Sequence, residues 1–282
     1  MIILRFGKSG RLARICETAA RLTHPESPFF SATRGGAFQA GQGGGVLQAD
    51  QGGGVWPTID ALLQSQANQQ VLVLDASVDH SSSAALIAHE SFKRETIASL
   101  GRAGVLARVI GFSSGIALID AARIQPTAAH MLEYRRQKLA QEALFAGLAC
   151  PVYLPQLFTL VGPITYAGQS AAWAQILKAR LERAGGTVLN EPHARKAWVS
   201  EFHVLRTLLN FLAAPKPANH TGPLVSGEFT LAQIASDPDL PAPPLAYTQG
   251  AGQGWLSGDY LPPAPRHNPQ TITEELLRSL NP

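Results

Sequence analysis

The spacing of apolar residues predicts short buried strands that alternate with helices. Residues 1–7 form an apolar run that ends in glycine, and residues 10–22 then repeat apolar side chains at helical spacing. Further runs with the length of strands follow at 28–33, 46–49, 71–74, 106–112 and 151–154. Helical spacing returns at about 57–67, 82–103 and 128–147. Strands that alternate with helices in this way favour a parallel sheet covered on both faces.

Two segments depart from this alternation. Residues 35–54 hold nine of the 26 glycines, with GQGGGV nearly repeated as DQGGGV, and we interpret them as a mobile surface insertion between strands two and three. Residues 215–269 hold 11 of the 20 prolines and show few long helical patterns. We therefore predict a first domain over 1–163 and a smaller, loop-rich lobe over 164–282, interleaved with the first across an approximate boundary.

The composition is that of a chain with a large core. Of the 282 residues, 45% are hydrophobic and 15% are charged, whereas average soluble domains hold about 25% charged residues. The net charge is +3 and the basic residues are scattered, which argues against a nucleic-acid or membrane-surface protein. Residues 143–177 carry no charge, but prolines and glycines interrupt them, so no spanning helix of about 20 residues fits there.

The reactive side chains exclude two further classes of protein. Cys16 and Cys150 are too few for a disulfide framework, and the N-terminus becomes basic too early for a signal peptide. We therefore expect a cytoplasmic protein. The eight histidines show no spacing suited to a metal, so no metal is predicted.

The turn between the first strand and the first helix has the pattern G-x-x-G-x-x-A. Gly7 and Gly10 are its glycines. Ser9, Arg11 and Leu12 lie in the same turn and at the start of the helix, and we predict that they also contact the cofactor. Small residues at such a turn let backbone N–H groups and the helix N-terminus approach a pyrophosphate. A glycine turn before a helix is common without any ligand, but its place at the start of the strand–helix series favours a dinucleotide site.

Strand two should end at Thr33-Arg34, where the adenosine ribose of a dinucleotide would lie. A carboxylate at this position usually selects NAD by binding the 2′-hydroxyl, and no carboxylate is present. Arg34 could pair instead with a 2′-phosphate, which favours NADP with NAD as the other option. The alternative, that Arg34 only solvates the edge of the glycine-rich segment, stays open.

Tyr134 and Lys138 are four residues apart in a predicted helix and therefore share one face. An ammonium beside a phenol lowers the phenol's pKa, which is otherwise about 10 and too high for acid–base work at neutral pH. A surface tyrosine resting beside a lysine stem is the alternative interpretation. Ser114, at the end of the strand over 106–112, could hydrogen-bond the same substrate oxygen that Tyr134 protonates.

These motifs resemble the extended branch of the short-chain dehydrogenase/reductase superfamily, which comprises NAD(P)-dependent nucleotide-sugar epimerases, dehydratases and 4-keto reductases. The segments that carry the resemblance are GKSGRLA (7–13), VLQAD (46–50), VLVLDAS (71–77), RVIGFSS (108–114), YRRQK (134–138), QLFTLVGP (156–163), WVSEFHVLRTLL (198–209), PLVSGEFTLAQIA (223–235) and PQTITEELLRSL (269–280). The resemblance covers nearly the whole chain. It implies a Rossmann-type doubly wound parallel sheet that binds NAD(P), followed by a smaller substrate-binding lobe.

The same resemblance implies roles for single residues. Ser114 would donate to the substrate oxygen, Tyr134 would be the general acid/base, and Lys138 would anchor the cofactor ribose and modify the phenol's pKa. Asp50 would approach the adenine. The strand that ends in Ala76 and Ser77 would lie beside the cofactor.

Several positions differ from the family pattern. Gln156 stands where an arginine is usual, and Val161 stands where a tyrosine is usual. Ser200, Phe202 and His203 stand where a histidine and paired aspartates are usual. Gly115 follows the serines, so an alignment shifted by one residue would remove the catalytic hydroxyl.

We therefore predict an NADP(H)-dependent oxidoreductase or epimerase whose small-molecule partner is a nucleotide-activated sugar or a related keto/hydroxy compound. No nucleic-acid or membrane partner is expected, and the oligomeric state, a homodimer included, stays open. A catalytically degenerate NAD(P)-binding regulator or assembly protein is the alternative within the same fold. A plain interaction scaffold is the third class, and it would make the grouping of Ser114, Tyr134 and Lys138 a coincidence.

Overall fold

The structure, a computed structural model, describes a defined set of residues. These are 1–7, 10–33, 36–40, 55–66, 69–77, 84–162, 187–189, 191–237, 247–249, 256 and 258–262, with only the backbone described at 84–89, 187–189 and 247–249. Within these ranges, no helix combines the length and the apolar character that crossing a bilayer requires.

The elements in the described ranges alternate as the apolar pattern predicts. The strands are β1 (Ile2–Phe6), β2 (Phe29–Ala32), β3 (Phe38–Ala40), β4 (Val55–Trp56), β5 (Val71–Asp75), β6 (Leu106–Ile110), β7 (Ser113–Ser114), β8 (Val152–Tyr153), β9 (Gln156–Leu157), β10 (Thr159–Val161), β11 (Thr187–Leu189), β12 (Lys196–Ser200), β13 (Pro223–Leu224), β14 (Gly227–Phe229) and β15 (Tyr247–Gln249). The α-helices are α1 (Arg11–Thr23), α2 (Ile59–Ser65), α3 (Ala84–Arg102), α4 (Ala129–Ala146), α5 (Glu201–Ala213) and α6 (Leu231–Ser236).

The chain forms two units, each built from three separate stretches. The first unit comprises Met1–Ser113, Leu139–Pro155 and Leu205–Thr221. The second unit comprises Ser114–Lys138, Gln156–Val204 and Gly222–Pro282.

The first unit contains a seven-stranded sheet of order β4-β3-β2-β1-β5-β6-β8. Five of these strands, β2, β1, β5, β6 and β8, run parallel, which confirms the predicted doubly wound parallel sheet. The edge differs from the prediction, because β3 pairs antiparallel with β2 and with β4. Residues 33–37 are too few for a crossover between parallel strands, which takes a dozen or more residues, so the chain turns back as a hairpin. The strand predicted over 46–49 lies outside the described residues.

The core of the first unit lies on both faces of this sheet. All five residues of β5 are buried, as expected for a strand in a parallel sheet covered on both sides. On one side Phe92 of α3 joins the aromatic rings of the sheet, with its ring centroid 6.3 Å from that of Phe6 and 5.2 Å from that of Phe38. Such edge and tilted contacts stabilise a core beyond the area they bury.

A guanidinium joins the third stretch of the first unit to its sheet. Arg108 on β6 donates to the carbonyls of Phe211 at 2.9 Å, Leu212 at 2.6 Å and Ala214 at 2.8 Å. These carbonyls end α5, where the last turn has no N–H partners of its own, so Arg108 satisfies them. The Tyr153 hydroxyl adds a 2.6 Å hydrogen bond to the Thr207 hydroxyl of the same helix.

The second unit is built on short strands. β12 pairs parallel with β10 and antiparallel with β14, and β9 pairs parallel with β13. A capping box at Thr230 and Gln233 begins α6. The buried hydrophobic cluster of this unit comprises Ile116, Ile119, Ile124, Ala128, Phe158, Ala197, Val225, Leu256 and Tyr260.

Candidate active site

The turn after β1 passes directly against the end of β5 in the first unit. Gly7 has φ +77, and a Cβ built on it would lie 2.9 Å from the Ser77 N and 3.0 Å from the Ala76 carbonyl carbon and oxygen. Only glycine fits both the left-handed backbone and this close approach. The structure therefore brings together Gly7, Ala76 and Ser77, three of the residues that the sequence assigns to cofactor binding.

The start of α1 offers open space to a ligand. Gly10 has φ +113, and a Cβ built on it would meet no atom of the described residues within 4 Å. Arg11 and Leu12 begin the helix, whose first turn holds no acidic residue. Backbone N–H groups at a helix start attract phosphate, and the glycine leaves room for it, so these residues fit the pyrophosphate of a dinucleotide. Ser9, Arg34 and Asp50, the other predicted cofactor contacts, lie outside the described residues.

A buried charged cluster lies at the carboxyl end of β5, and the sequence reasoning missed it. The Asp75 carboxylate is fully buried and lies 3.0 Å from the Lys93 ammonium, which is itself only 2% exposed. Gln141 donates to the same carboxylate at 2.8 Å, and the Lys93 ammonium also reaches Glu90 at 2.7 Å. The sequence holds one signal for this cluster: Asp75 ends the apolar run VLVLD, and a carboxylate at the end of a buried strand needs a partner.

Asp75 also shapes the bend that follows β5. Its carboxylate accepts hydrogen bonds from the hydroxyl of Ser77 and from the Ser77 backbone N–H, the latter at 3.2 Å. Because Ser77 lies against Gly7, the buried carboxylate fixes the surface that faces the glycine turn.

The three predicted catalytic residues come together in the second unit. Ser114 ends β7, and its side chain is close enough to Tyr134 to act on the pKa of that phenol. Lys138 follows one turn later on α4, and its ammonium lies 5.6 Å from the centroid of the Tyr134 ring. Both Ser114 and Lys138 are buried. The arrangement places two hydroxyls and an ammonium in one cluster, as proton transfer to a substrate oxygen requires.

The expected lowering of the pKa of Tyr134 is wrong. Burial raises the pKa of the Tyr134 phenol, and the effect of Ser114 offsets only part of that rise. Burial disfavours the charged phenolate. The ammonium of Lys138 faces the phenol's ring.

The structure distinguishes the two adjacent serines. Ser113 donates to the Glu142 carboxylate at 2.5 Å within the first unit, whereas the Ser114 hydroxyl lies 3.5 Å from the Tyr260 hydroxyl in the second unit. A Cβ built on Gly115 would lie 2.5 Å from the Phe158 ring, so this glycine is required by packing. Ser114 therefore stays the candidate catalytic serine, because the hydroxyl of Ser113 is engaged by Glu142.

A second tyrosine, which the sequence reasoning missed, lies at the same serine. The Tyr260 hydroxyl is 3.5 Å from the Ser114 hydroxyl, and its ring centroid is 4.8 Å from that of Phe158. Backbone hydrogen bonds fix Tyr260 beside β12: its N–H donates to Arg195 and its carbonyl accepts from Ala197, both at 2.8 Å. Tyr260 is 146 residues from Ser114 in a proline-rich segment, and no local pattern indicates their contact.

The residues that differ from the family pattern all lie in the second unit, in different surroundings. The Ser226 hydroxyl accepts from the Ser200 N–H at 3.0 Å and lies 3.0 Å from the His203 Nδ1. Val161 is buried in β10, whereas Phe202 is exposed. Gln156 pairs through its backbone with Gly222. Over the described ranges, no group of three His, Cys, Asp or Glu side chains is arranged to hold a metal ion.

Comparison with known proteins supports the fold. No family model matches the chain, and no curated protein matches it. Solved structures do match, and three of them match over nearly their whole length. The GalE-like L-threonine dehydrogenase of Cupriavidus necator is 16% identical with a TM-score of 0.67, and the match covers 100% of this chain and 99% of that one.

Two epimerases are similar to the same extent. The UDP-glucuronic acid 4-epimerase of Bacillus cereus, solved with UDP-glucuronic acid and NAD, is 12% identical with a TM-score of 0.64, covering 100% of this chain and 98% of that one. The UDP-N-acetylglucosamine 4-epimerase of Methanobrevibacter ruminantium is 10% identical with a TM-score of 0.62, covering 99% and 97%. The chain has the fold of these enzymes, which confirms the fold that the sequence resemblance implies.

Proposed function

We propose that this chain, which has the fold of the extended short-chain dehydrogenases/reductases, is an NAD(P)-dependent oxidoreductase or epimerase. Its substrate is a nucleotide-activated sugar or a related keto/hydroxy compound. The Lys138 ammonium, 5.6 Å from the centroid of the Tyr134 ring, carries this proposal, and the effect of Ser114 on the pKa of the same phenol supports it. Two of the structural neighbours named above are nucleotide-sugar epimerases, which supports the substrate class. One of these two was solved with NAD, which supports the cofactor class.

The residues then have distinct tasks in the reaction. NAD(P), when bound, supplies the nicotinamide carbon that exchanges hydride. Ser114 donates a hydrogen bond to the substrate oxygen, and Tyr134 gives a proton to that oxygen or takes one from it. Lys138 holds the cofactor ribose and adds positive charge beside the phenol. Because burial raises the pKa of Tyr134, its phenol is protonated at neutral pH and is ready to act as an acid on a carbonyl oxygen.

Dinucleotide binding is tested at the glycine turn. Gly10→Val places a branched side chain where the pyrophosphate would approach, so affinity should fall about tenfold or more, the equivalent of one lost hydrogen bond to a charged group. Tryptophan fluorescence titration with NADP and NAD measures it.

Gly104→Val is the matched control, because Gly104 also has a positive φ of +69 and open space at its Cβ position, but follows α3. It likewise places a branched side chain at a positive φ. Unchanged affinity in Gly10→Val, or an equal loss in Gly104→Val, would remove the turn from consideration as the site.

We also propose a preference for NADP, which rests on Arg34 and on the lack of an acid at Thr33. A charge-assisted pair with the 2′-phosphate contributes about 1.5–3 kcal/mol. Arg34→Ala should therefore weaken NADP binding about tenfold or more and leave NAD binding nearly unchanged, as isothermal titration of both cofactors would show. Equal losses for the two cofactors would contradict this preference.

A further inference from the structure

Both hydrogen-bond donors of Ser77 point to the buried carboxylate of Asp75. The Ser77 backbone N–H donates to one oxygen of this carboxylate at 3.2 Å, and the Ser77 hydroxyl is bonded to the same oxygen. The Lys93 ammonium lies 3.3 Å from the Ser77 hydroxyl oxygen. An ionised carboxylate only accepts hydrogen bonds and an ammonium only donates them. The Ser77 hydroxyl therefore accepts from Lys93 and gives its single hydrogen to Asp75.

The bend over residues 75–77 forms one wall of the glycine turn in the first unit. The Ala76 N–H donates to the Phe6 carbonyl at 3.0 Å, which ties the bend to the end of β1. A Cβ built on Gly7 would lie 2.9 Å from the Ser77 N, so the turn and the bend are in close backbone contact. Close-packed groups transmit a displacement to their neighbours. The position of the turn therefore follows the position of the bend.

The cation of Lys93 keeps Asp75 able to hold this bend. The Asp75 carboxylate is fully buried, 3.0 Å from the Lys93 ammonium, and Gln141 donates to it at 2.8 Å. The ammonium also pairs with Glu90 at 2.7 Å. A buried carboxylate without a cation takes up a proton or moves toward water. Either change weakens the acceptor that both donors of Ser77 use.

We propose that Lys93 is a positioning residue for dinucleotide binding at the glycine turn. It acts through Asp75 and Ser77, which hold the bend against which Gly7 packs. A site whose binding-competent conformation is only partly populated binds with an affinity reduced by that fraction. Loss of the Lys93 cation therefore weakens binding, although the phosphate-binding groups of the turn are unchanged. This inference rests on the proposed function, because its ligand is NAD(P).

The first test compares two variants that each remove one cation from the first unit. Lys93→Met should weaken the binding of NADP and of NAD about tenfold, a size typical of coupling between two sites. Arg108→Met is the matched control, because Arg108 is also partly buried but binds carbonyls at the end of α5. It should lose stability and keep the affinity. Isothermal titration measures both variants at a temperature at which circular dichroism shows them folded.

Two double variants separate positioning from stability. Neither Lys93→Met/Asp75→Asn nor Lys93→Met/Asp75→Leu buries an uncompensated charge, so their urea midpoints should be similar. The asparagine carbonyl can accept from both donors of Ser77, whereas the leucine offers no acceptor. The asparagine variant should therefore regain the wild-type affinity, and the leucine variant should stay about tenfold weaker.

Three results would overturn the proposal: wild-type affinity in Lys93→Met, equal affinities in the two double variants, or an equal loss in Arg108→Met. A wild-type protein that binds neither NADP nor NAD would instead contradict the proposed function. The amide NMR signal of Gly7 in the free protein then decides whether Lys93 positions the turn. It should shift in Lys93→Met and stay in place in Arg108→Met, and an unmoved signal in Lys93→Met would overturn the coupling.

Discussion

Tyr134→Phe should lower turnover about 10²–10⁴-fold while folding and dinucleotide affinity stay close to those of the wild type. The substitution removes only the hydroxyl that exchanges a proton with the substrate, and positioned acid–base groups contribute rate factors of this size. The ring remains against the buried cluster of the second unit. Steady-state kinetics with a panel of nucleotide sugars, together with cofactor titration and thermal unfolding, measure the three properties.

Two results would favour the non-catalytic alternative. One is full activity in Tyr134→Phe. The other is a wild-type protein that binds NADP tightly and converts no nucleotide sugar. Tyr153→Phe serves here as the control for the loss of a buried phenol hydroxyl that the reaction does not use.

Lys93→Met should lower the free energy of unfolding by about 3–5 kcal/mol, the range observed when one partner of a buried ion pair is removed. The Asp75 carboxylate would remain fully buried, with Gln141 and Ser77 as donors but no cation. The urea midpoint of unfolding measures the change. The double variant Lys93→Met/Asp75→Asn should recover most of the loss, because no uncompensated charge remains.

Arg136→Met is the matched control for this prediction. Arg136 pairs with Glu133 at 2.6 Å on the exposed side of α4. Exposed pairs contribute little to stability, so its midpoint should equal that of the wild type. A midpoint for Lys93→Met that also equals the wild type would contradict the assigned role of the buried pair.

The pH dependence of the Lys93 effect has a definite sign. Burial opposes the ammonium's charge, but Asp75 and Glu90 outweigh it and raise the pKa of Lys93 above its usual value. A raised pKa in the folded state contributes stability below the ordinary lysine pKa, and this is lost as the pH rises through the raised value. The part of the difference between wild type and Lys93→Met that comes from the lysine charge should therefore be present at neutral pH and be lost in the alkaline range.

The sequence predicted the elements whose pattern is local. The helices expected at about 82–103 and 128–147 occur at Ala84–Arg102 and Ala129–Ala146, because apolar periodicity and turn residues act over a few neighbours. The antiparallel pairing of β3 with β2 and β4 was missed, because strands of three and two residues are too short to show an alternating pattern.

Contacts between distant residues explain what else was missed. Tyr260 reaches Ser114 from a proline-rich segment, and Lys93 reaches Asp75 from a helix whose sequence does not require a buried ammonium. The direction of the Tyr134 pKa was wrong for the same reason, because sequence spacing gives the nearest charge but not the burial that opposes it.

The Arg108 contact has a consequence for how the protein is made. The carbonyls that Arg108 binds are 103, 104 and 106 residues further along the chain. During synthesis, β6 leaves the ribosome well before its partners, so the guanidinium spends that interval in water or with a chaperone. At about 5–20 residues per second this interval lasts several seconds. The first unit therefore cannot be complete before α5 has been translated. Slow codons before that helix would lengthen the time during which the incomplete sheet can aggregate.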